Sequence, residues 1–589
     1  MKQRSLLLDF LKGLAIIAVI LYHCGLLTYG YLGVEVFLVI GGYLITKSIM
    51  RGLDAGTFSY GRYMGKRLTR LCPLLIVVSG VSLAIAYFVM LPDNLKNVAE
   101  TVVGTMTFTN NFVQYITSGN YWDQSNDFKP LMHTWYIALM MQFYVIFPLI
   151  LYIDHRLQHR MNKNYIGGGG IFILLIGILS LLCYVYPGAS QAFTFYLLPA
   201  RLFEFCIGGY IAVAAGGEKK NAFVLPFLLL LTVILFAVNS DFDGKRLRLL
   251  VMVACTAGLL VYHEKTTKPF GENIAIKGIA RLGMMSYSLY LWHQVILAFY
   301  RYCITFDFSA LDHIACIAMS LVAGWISYQL MEKRLGQWQG KTKMRNISVA
   351  AASVMLLLAF GYVSVKTYRA QGIVRDIPEL DIYCNASPLF PQDYNASVGN
   401  RFDHDFEGAA GKQKILVVGD SYARDWTNVL IESGLVGGAE ISYHTEVDST
   451  LWQRSRQADI VYIANFGDYT KYSDMLPLWA TKKFFRIGHK NFGKSMGPAY
   501  MSLRHDAAHI PTFSLPEDLV TMDEHESRVF EHHFISLTPK LEAGNLKNVV
   551  PTATPDRKLI SHDGLHLTKA GAVYLAQQLQ AEIKASLGQ

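Results

Sequence analysis

The feature that most limits how this chain can fold is a series of apolar stretches that ends near residue 366. A bilayer-spanning helix needs about 20 mostly apolar residues. Eleven stretches qualify, with centres near residues 15, 40, 80, 142, 177, 203, 230, 255, 294, 320 and 356. They predict a polytopic α-helical membrane bundle of ten helices plus one. A weaker stretch over 102–116 is interrupted by Asn110, Asn111 and Gln114, and reads as part of an outer loop. Of the 589 residues, 52% are hydrophobic and only 16% charged, below the roughly 25% of a soluble domain.

The net charge of +9 reads as basic connecting loops. Lys47, Arg51, Arg62, Lys66, Arg67 and Arg70 follow the second stretch, and Lys277 and Arg281 are among those following the eighth. Every second connection is basic. The positive-inside rule then makes those connections and the N-terminus cytoplasmic. One outer loop, with Lys245, Arg246 and Arg248, breaks the pattern. Eleven crossings put the tail outside the cytoplasm. The basic residues do not gather on one soluble face, so no nucleic-acid partner is expected. Seven of the eight cysteines lie in or beside apolar segments, and Cys384 stands alone in the tail. Without a Cys-x-x-Cys pair, neither a disulfide framework nor a zinc site is expected. The first apolar stretch has no small-residue cleavage site and is expected to stay as an anchor.

The domain reading is 1–335 for the bundle, 336–412 for the eleventh helix and a connector, and 413–589 for an extracytoplasmic domain. The connector holds Pro378, Pro388 and Pro391. After Gln413, the apolar runs Ile415–Val418, Ile460–Ala464 and Phe484–Ile487 alternate with helical stretches. That alternation predicts an α/β domain with a parallel sheet. The helical spacing of Lys569–Ser586 closes it.

In that domain Gly419-Asp420-Ser421 ends the first run, and Asp563-Gly564-Leu565-His566 comes near the end. A serine hydroxyl is a weak nucleophile until a base takes its proton, and the base needs an acid to fix its tautomer. Ser421, His566 and Asp563 supply all three. At a helix start, the Ser421 N–H also faces a developing oxyanion. Either fragment alone reads better as an ordinary turn; both together, in one α/β domain, favour a triad. The tail resembles the SGNH family of esterases and acyltransferases, which carries its serine in a Gly-Asp-Ser block and its acid and base in a late Asp-x-x-His block. The family's Gly-x-Asn-Asp is absent. Asn465, in Asn465-Phe466-Gly467-Asp468, is an oxyanion candidate, and Gly434, Gly437 and Gly438 are alternative donors. His505, His509, His532 and His533 read as solvated loop residues, and no metal is expected.

Ionisable residues within spans are costly and point to function. Lys12 and His23 are eleven residues apart. That is a rise of about 16 Å and close to three full turns, so both lie on one helix face. Around them stand Gly33-Val34-Glu35 running on to Gly41-Gly42-Tyr43, then Arg67-Leu68-Thr69-Arg70. His133-Thr134-Trp135 with Gln142-Phe143-Tyr144, Arg201-Leu202-Phe203-Glu204 and Ser286-Tyr287 through Trp292-His293 follow. From about residue 5 to 335 this ordered series resembles the acyltransferase-3 family of membrane acyltransferases. Its fusion to an SGNH tail is similar to bacterial enzymes that O-acetylate O-antigen, other surface polysaccharides or peptidoglycan. The resemblance implies acetyl-CoA as donor substrate, with no bound cofactor. It also implies an envelope glycan as acceptor and the bacterial inner membrane as location. Arg67 and Arg70 would pair with the CoA phosphates and Lys12 with the pantetheine arm or thioester oxygen. His23 would activate transfer, with His133 a second candidate. Arg201 and Glu204 read as a structural ion pair, and His293 as interfacial. Where the family has a glutamate after His-Thr-Trp, this chain has Met140 and Met141. Either another acid such as Glu35 substitutes, or the site works differently, or it is impaired. Two other readings stay open: a membrane-anchored glycan acetylesterase, and a transporter or inactive bundle.

Overall fold

The computed structural model describes residues 5–117, 126–160, 170–214, 224–237, 244–265, 273–334, 343–370, 372, 392–408, 411–467, 469–505, 509–544 and 546–589. Cys384, Asp468 and the connector's Pro378, Pro388 and Pro391 lie outside the described residues. The chain divides into two compact units, the first mainly the N-terminal helices and the second mainly Ala370–Gln589.

In the first unit a helix covers each of the expected centres. Among the described residues, eight helices are long and apolar enough to cross a bilayer, which makes this a multi-pass membrane protein. The remaining centres fall on Ile171–Val185, Val224–Ala237 and Ser286–Cys303. The first two of these helices are short, at 15 and 14 residues. The third carries His293, Gln294 and Arg301, which lower its hydropathy. Lipid is as apolar as leucine, so close backbone approach has to hold such helices together. Helix Gly33–Asp54 meets helix Leu198–Ala214 that way. A Cβ on Gly42 would lie 2.0 Å from the Phe205 carbonyl oxygen, and one on Gly208 would lie 1.9 Å from that of Val39.

The stretch over 102–116 is largely helical. Helices Pro92–Met106 and Asn110–Thr117 occupy it. The polar residues that interrupt its apolar run are buried and bonded. Asn110 Nδ2 donates to the Leu131 and Met132 carbonyls and to Thr134 Oγ1, at 3.2, 3.3 and 2.8 Å. Asn111 Nδ2 donates to the Tyr196 carbonyl at 3.2 Å. The Asn110 contacts brace the turn that presents His133.

The second unit holds a five-stranded parallel sheet of β1 (Lys414–Val418), β2 (Glu440–His444), β3 (Ile460–Ile463), β4 (Lys483–Ile487) and β6 (Phe534–Ile535), in the order β2-β1-β3-β4-β6. A two-stranded antiparallel ribbon joins β5 (Thr512–Ser514) to β7 (Val549–Pro551). Along β1, Ile415 and Val417 enter one core while Leu416 and Val418 enter the other. Both faces of the sheet are therefore covered, which is why β1 and β3 read as unbroken apolar runs. Helix Gln392–Phe402 lies in the segment read as connector. Its Val398 is buried in this unit's core, with Tyr394 and Phe402 packed against it.

Candidate active sites

In the second unit the nucleophile region is built by the end of β1. Gly419 has φ +143°, and a Cβ there would meet the Ala464 carbonyl oxygen at 1.8 Å. Only glycine lets the chain turn so close to β3. Asp420 then caps helix Ser421–Glu432, its carboxylate accepting the Tyr422 N–H. Ser421 Oγ lies 2.8 Å from His566 Nε2, and His566 Nδ1 lies 2.5 Å from Asp563 Oδ2. Asp563 Oδ1 accepts the backbone N–H groups of Leu565 and His566, at 2.9 and 2.8 Å. Burial pushes the Asp563 carboxyl up, but the positive charge of His562 and the charge and hydrogen bonds of His566 outweigh it and hold it well below the usual carboxylate range. Burial in turn pulls His562 down from the usual histidine range. Ser421, His566 and Asp563 thus stand in the hydrogen-bonded line that a serine nucleophile, its base and an orienting acid take in acyl transfer or ester hydrolysis.

Asn465 stands after β3, with one Nδ2 proton given to the Gly467 carbonyl at 2.7 Å. Its Oδ1 accepts from Arg486 Nη1 at 2.8 Å. Arg486 is fully buried, and its Nε donates to Glu526 Oε2 at 2.7 Å. Sequence reasoning passed over Arg486; its signal was a lone arginine inside the apolar strand run Lys483–Ile487. Gly434, Gly437 and Gly438 stand beyond the far end of the 12-residue helix that Ser421 opens. That helix is about 18 Å long. Donor atoms of His562, Asp563 and His566 lie within 4.8 Å of one another, near enough to hold a cation. A cation there would compete with the triad's own hydrogen bonds.

In the first unit a cavity of about 180 Å³ is lined by Asp9, Lys12, Arg67, Arg70, Tyr136, Met140, Tyr287 and Tyr290 among others. The three cations expected to hold a donor thus share one cavity. Lys12 Nζ pairs with Asp9 at 3.5 Å. The Arg67 guanidinium lies 5.3 Å from the ring centroids of both Tyr63 and Tyr144, within cation–π range. The Tyr290 ring, which lines the cavity, is 5.1 Å from His133 and 5.5 Å from His293. His293 in turn lies 5.2 Å from His23 and 5.3 Å from His133. Three histidines from separate helical segments therefore form one cluster beside the cavity. His293 is fully buried between the other two. Both ring nitrogens of His133 and Nε2 of His293 make no hydrogen bond among the described residues. Glu35 is also buried, bound with Glu204 to one Arg201 nitrogen, each at 2.9 Å. The structure thus widens the expected Arg201–Glu204 pair to a three-residue set. Met140, one of the two methionines that follow His133-Thr134-Trp135, lines the cavity.

A family model described as an acyltransferase domain matches residues 6–329. The chain is 24% identical over 347 residues to the O-acetyltransferase OatA of Staphylococcus aureus (strain NCTC 8325 / PS 47), a match covering 55% of this chain and 56% of OatA. It is 26% identical over 384 residues to BcsY of Komagataeibacter xylinus, provisionally named a membrane-bound transacylase, covering 62% of this chain and 92% of BcsY. A provisionally named O-acetyltransferase of Staphylococcus aureus (strain COL) is 26% identical over 348 residues, 55% of this chain and 56% of that protein. The chain thus spans little more than half the length of the staphylococcal relatives. No solved structure gives a significant match. With the acyltransferase model covering more than half of its length, the chain belongs to this family of membrane acyltransferases.

Proposed function

We propose that the protein is a transmembrane O-acetyltransferase. It takes acetyl from cytoplasmic acetyl-CoA and delivers it to hydroxyls of an envelope glycan: O-antigen or another surface polysaccharide in first place, peptidoglycan in second. On this reading the bundle sits in the bacterial inner membrane, with the N-terminus cytoplasmic and the second unit outside. Support for the donor comes from a cavity that groups Lys12, Arg67 and Arg70, and whose Tyr290 ring contacts His133 and His293, the latter next to His23. Guanidinium forks suit phosphates.

The observation that carries the acceptor half is the 2.8 Å contact from Ser421 Oγ to His566 Nε2 in a chain whose other unit is an acyltransferase domain. In the first half-reaction Ser421 Oγ attacks the acyl carbonyl and His566 takes the hydroxyl proton. The bond from carbonyl to donor breaks, and His566 returns the proton to the departing group. In the second half a sugar hydroxyl attacks the acetyl-serine and gives its proton to His566. The ester bond to Ser421 breaks, and the proton returns to Oγ. Asp563 stays ionised throughout and stabilises the imidazolium.

One exposed ring favours a sugar acceptor. Phe466 is 52% exposed, although its backbone N–H is fixed to Asp420 Oδ2 at 2.8 Å. Its ring lies 5.7 Å from Tyr422, the residue after the nucleophile. An open aromatic face beside Ser421 suits the apolar face of a pyranose.

Mass spectrometry of envelope glycans tests the reading. Cells carrying Ser421→Ala should lose one acetyl per modified unit relative to cells carrying the native chain. A gain of acetyl would make the enzyme a hydrolase, and no change would remove Ser421 from the reaction.

A further inference from the structure

Between the helix that carries Ser421 and the loop that carries His566 lies a buried ion pair that the triad does not use. Asp425 stands one helical turn after Ser421 and is fully buried; Lys490, shortly after β4, is 5% exposed. Lys490 Nζ is 2.8 Å from Asp425 Oδ2 and 3.7 Å from the centroid of the Tyr422 ring. The Tyr422 hydroxyl donates to the Lys490 carbonyl at 2.6 Å.

The remaining hydrogen bonds of the pair give it its interest. Lys490 Nζ donates to the Leu565 carbonyl at 2.5 Å, and Asp425 Oδ2 accepts the Leu567 N–H at 3.1 Å. Leu565 and Leu567 are the two neighbours of His566. From the other direction, Asn395 Nδ2 donates to Asp425 Oδ1 at 2.6 Å and to the Ser421 carbonyl at 2.8 Å. The backbones of nucleophile and base are thus both tied to one charge pair. Asp563 lies in the same loop as His566. It sets the rotation of the ring but leaves the distance from loop to serine to contacts made outside the loop.

A buried salt bridge is weak evidence for stability, since apolar replacements of similar volume are often neutral or stabilising. Breaking the register between nucleophile and base is a different matter. A misplacement of about 1 Å costs on the order of 100-fold in rate.

We propose that Asp425 and Lys490 are positioning residues. By clamping the peptides on either side of His566 to the Ser421 helix, they hold Nε2 within proton-transfer distance of Oγ. This rests on Ser421 and His566 being the nucleophile and base of the proposed reaction.

The test uses the full chain in detergent, with p-nitrophenyl acetate as acyl donor and Ser421→Ala as the blank. Asp425→Asn and Lys490→Gln, each alone, leave one buried charge unpaired, and kcat falls about 100-fold while KM changes little. The double variant Asp425→Asn/Lys490→Gln is neutral, yet it still accepts from Leu567 and donates to Leu565. Its kcat recovers to within about tenfold of native. Asp425→Leu/Lys490→Leu keeps its thermal midpoint but loses about 100-fold in kcat, a split that a purely structural pair would not produce. The proposal is overturned if the neutral polar pair is no faster than the single variants, or if a folded leucine pair turns over at the native rate. Should the leucine pair fail to fold, the comparison of the polar pair with the single variants decides. Ester hydrolysis surviving in Ser421→Ala would sink the proposed function instead.

Discussion

At the scale of single residues, Asp563 carries two separable duties. In the proposed reaction its carboxylate, 2.5 Å from His566 Nδ1, holds the ring in the right tautomer and stabilises the charge that forms on it. Asp563→Asn keeps the shape but not the charge, so kcat should fall by about 10⁴ with the fold intact. The same carboxyl is held low in the folded state. A depressed acid stabilises the fold above its unfolded value and stops doing so as the pH falls through its folded value. The native chain should therefore lead Asp563→Asn in stability at neutral pH. The lead should shrink only below the ordinary aspartate value of 3.8. Thermal denaturation of the two proteins across pH 2–7 checks the sign. Phe466 makes the second residue-level prediction. Phe466→Ala should raise KM for a glycan acceptor about tenfold, equivalent to ~1.4 kcal/mol, and leave p-nitrophenyl acetate turnover unchanged. Equal losses on both substrates would give the ring a structural role.

At the scale of elements, the turn between β1 and the Ser421 helix is an unforgiving joint of the second unit. Gly419→Ala would put a methyl group into the Ala464 carbonyl at a positive φ. It should cost at least ~3 kcal/mol and lower the thermal midpoint by roughly 6–12 °C. An unchanged midpoint would mean that β1 and β3 separate at little cost. The same joint explains what could be read from the sequence. Strands β1, β3 and β4 are legible because they are central and carry runs of large apolar residues. Strand β2 alternates polar and apolar residues at the sheet edge, and β6 is two residues long. The alternation on β2 is a strand signal that was overlooked, whereas β6 is too short to leave one. The triad was legible because its residues sit in two short blocks. Arg486, Lys490 and Asp425 were not, because their meaning lies in partners up to 142 residues away. In the membrane unit, Lys12 and His23 could be paired by helical arithmetic. His293 could be placed between His23 and His133 only once three chain segments were brought together.

At the scale of the whole molecule, the two sites should fail independently. His23→Ala should abolish envelope acetylation while the detergent-solubilised protein still hydrolyses p-nitrophenyl acetate through Ser421. Ser421→Ala should abolish both while the purified chain still binds CoA, measured by calorimetry. Loss of CoA binding in Ser421→Ala would mean that the sites are not separable. Protease mapping that found Gln589 in the cytosol would undo the proposed route across the membrane.

The contact between Ser421 and His566 bridges 145 residues of sequence. A ribosome delivers the first long before the second, so during synthesis the serine waits as an ordinary hydroxyl with no proton acceptor. On the proposed reaction, Ser421 becomes a nucleophile only once the segment bearing residues 563–566 has docked. On the same reading, a nascent or clipped chain that stops short of that segment would be chemically silent rather than a loose esterase among the cell's own esters.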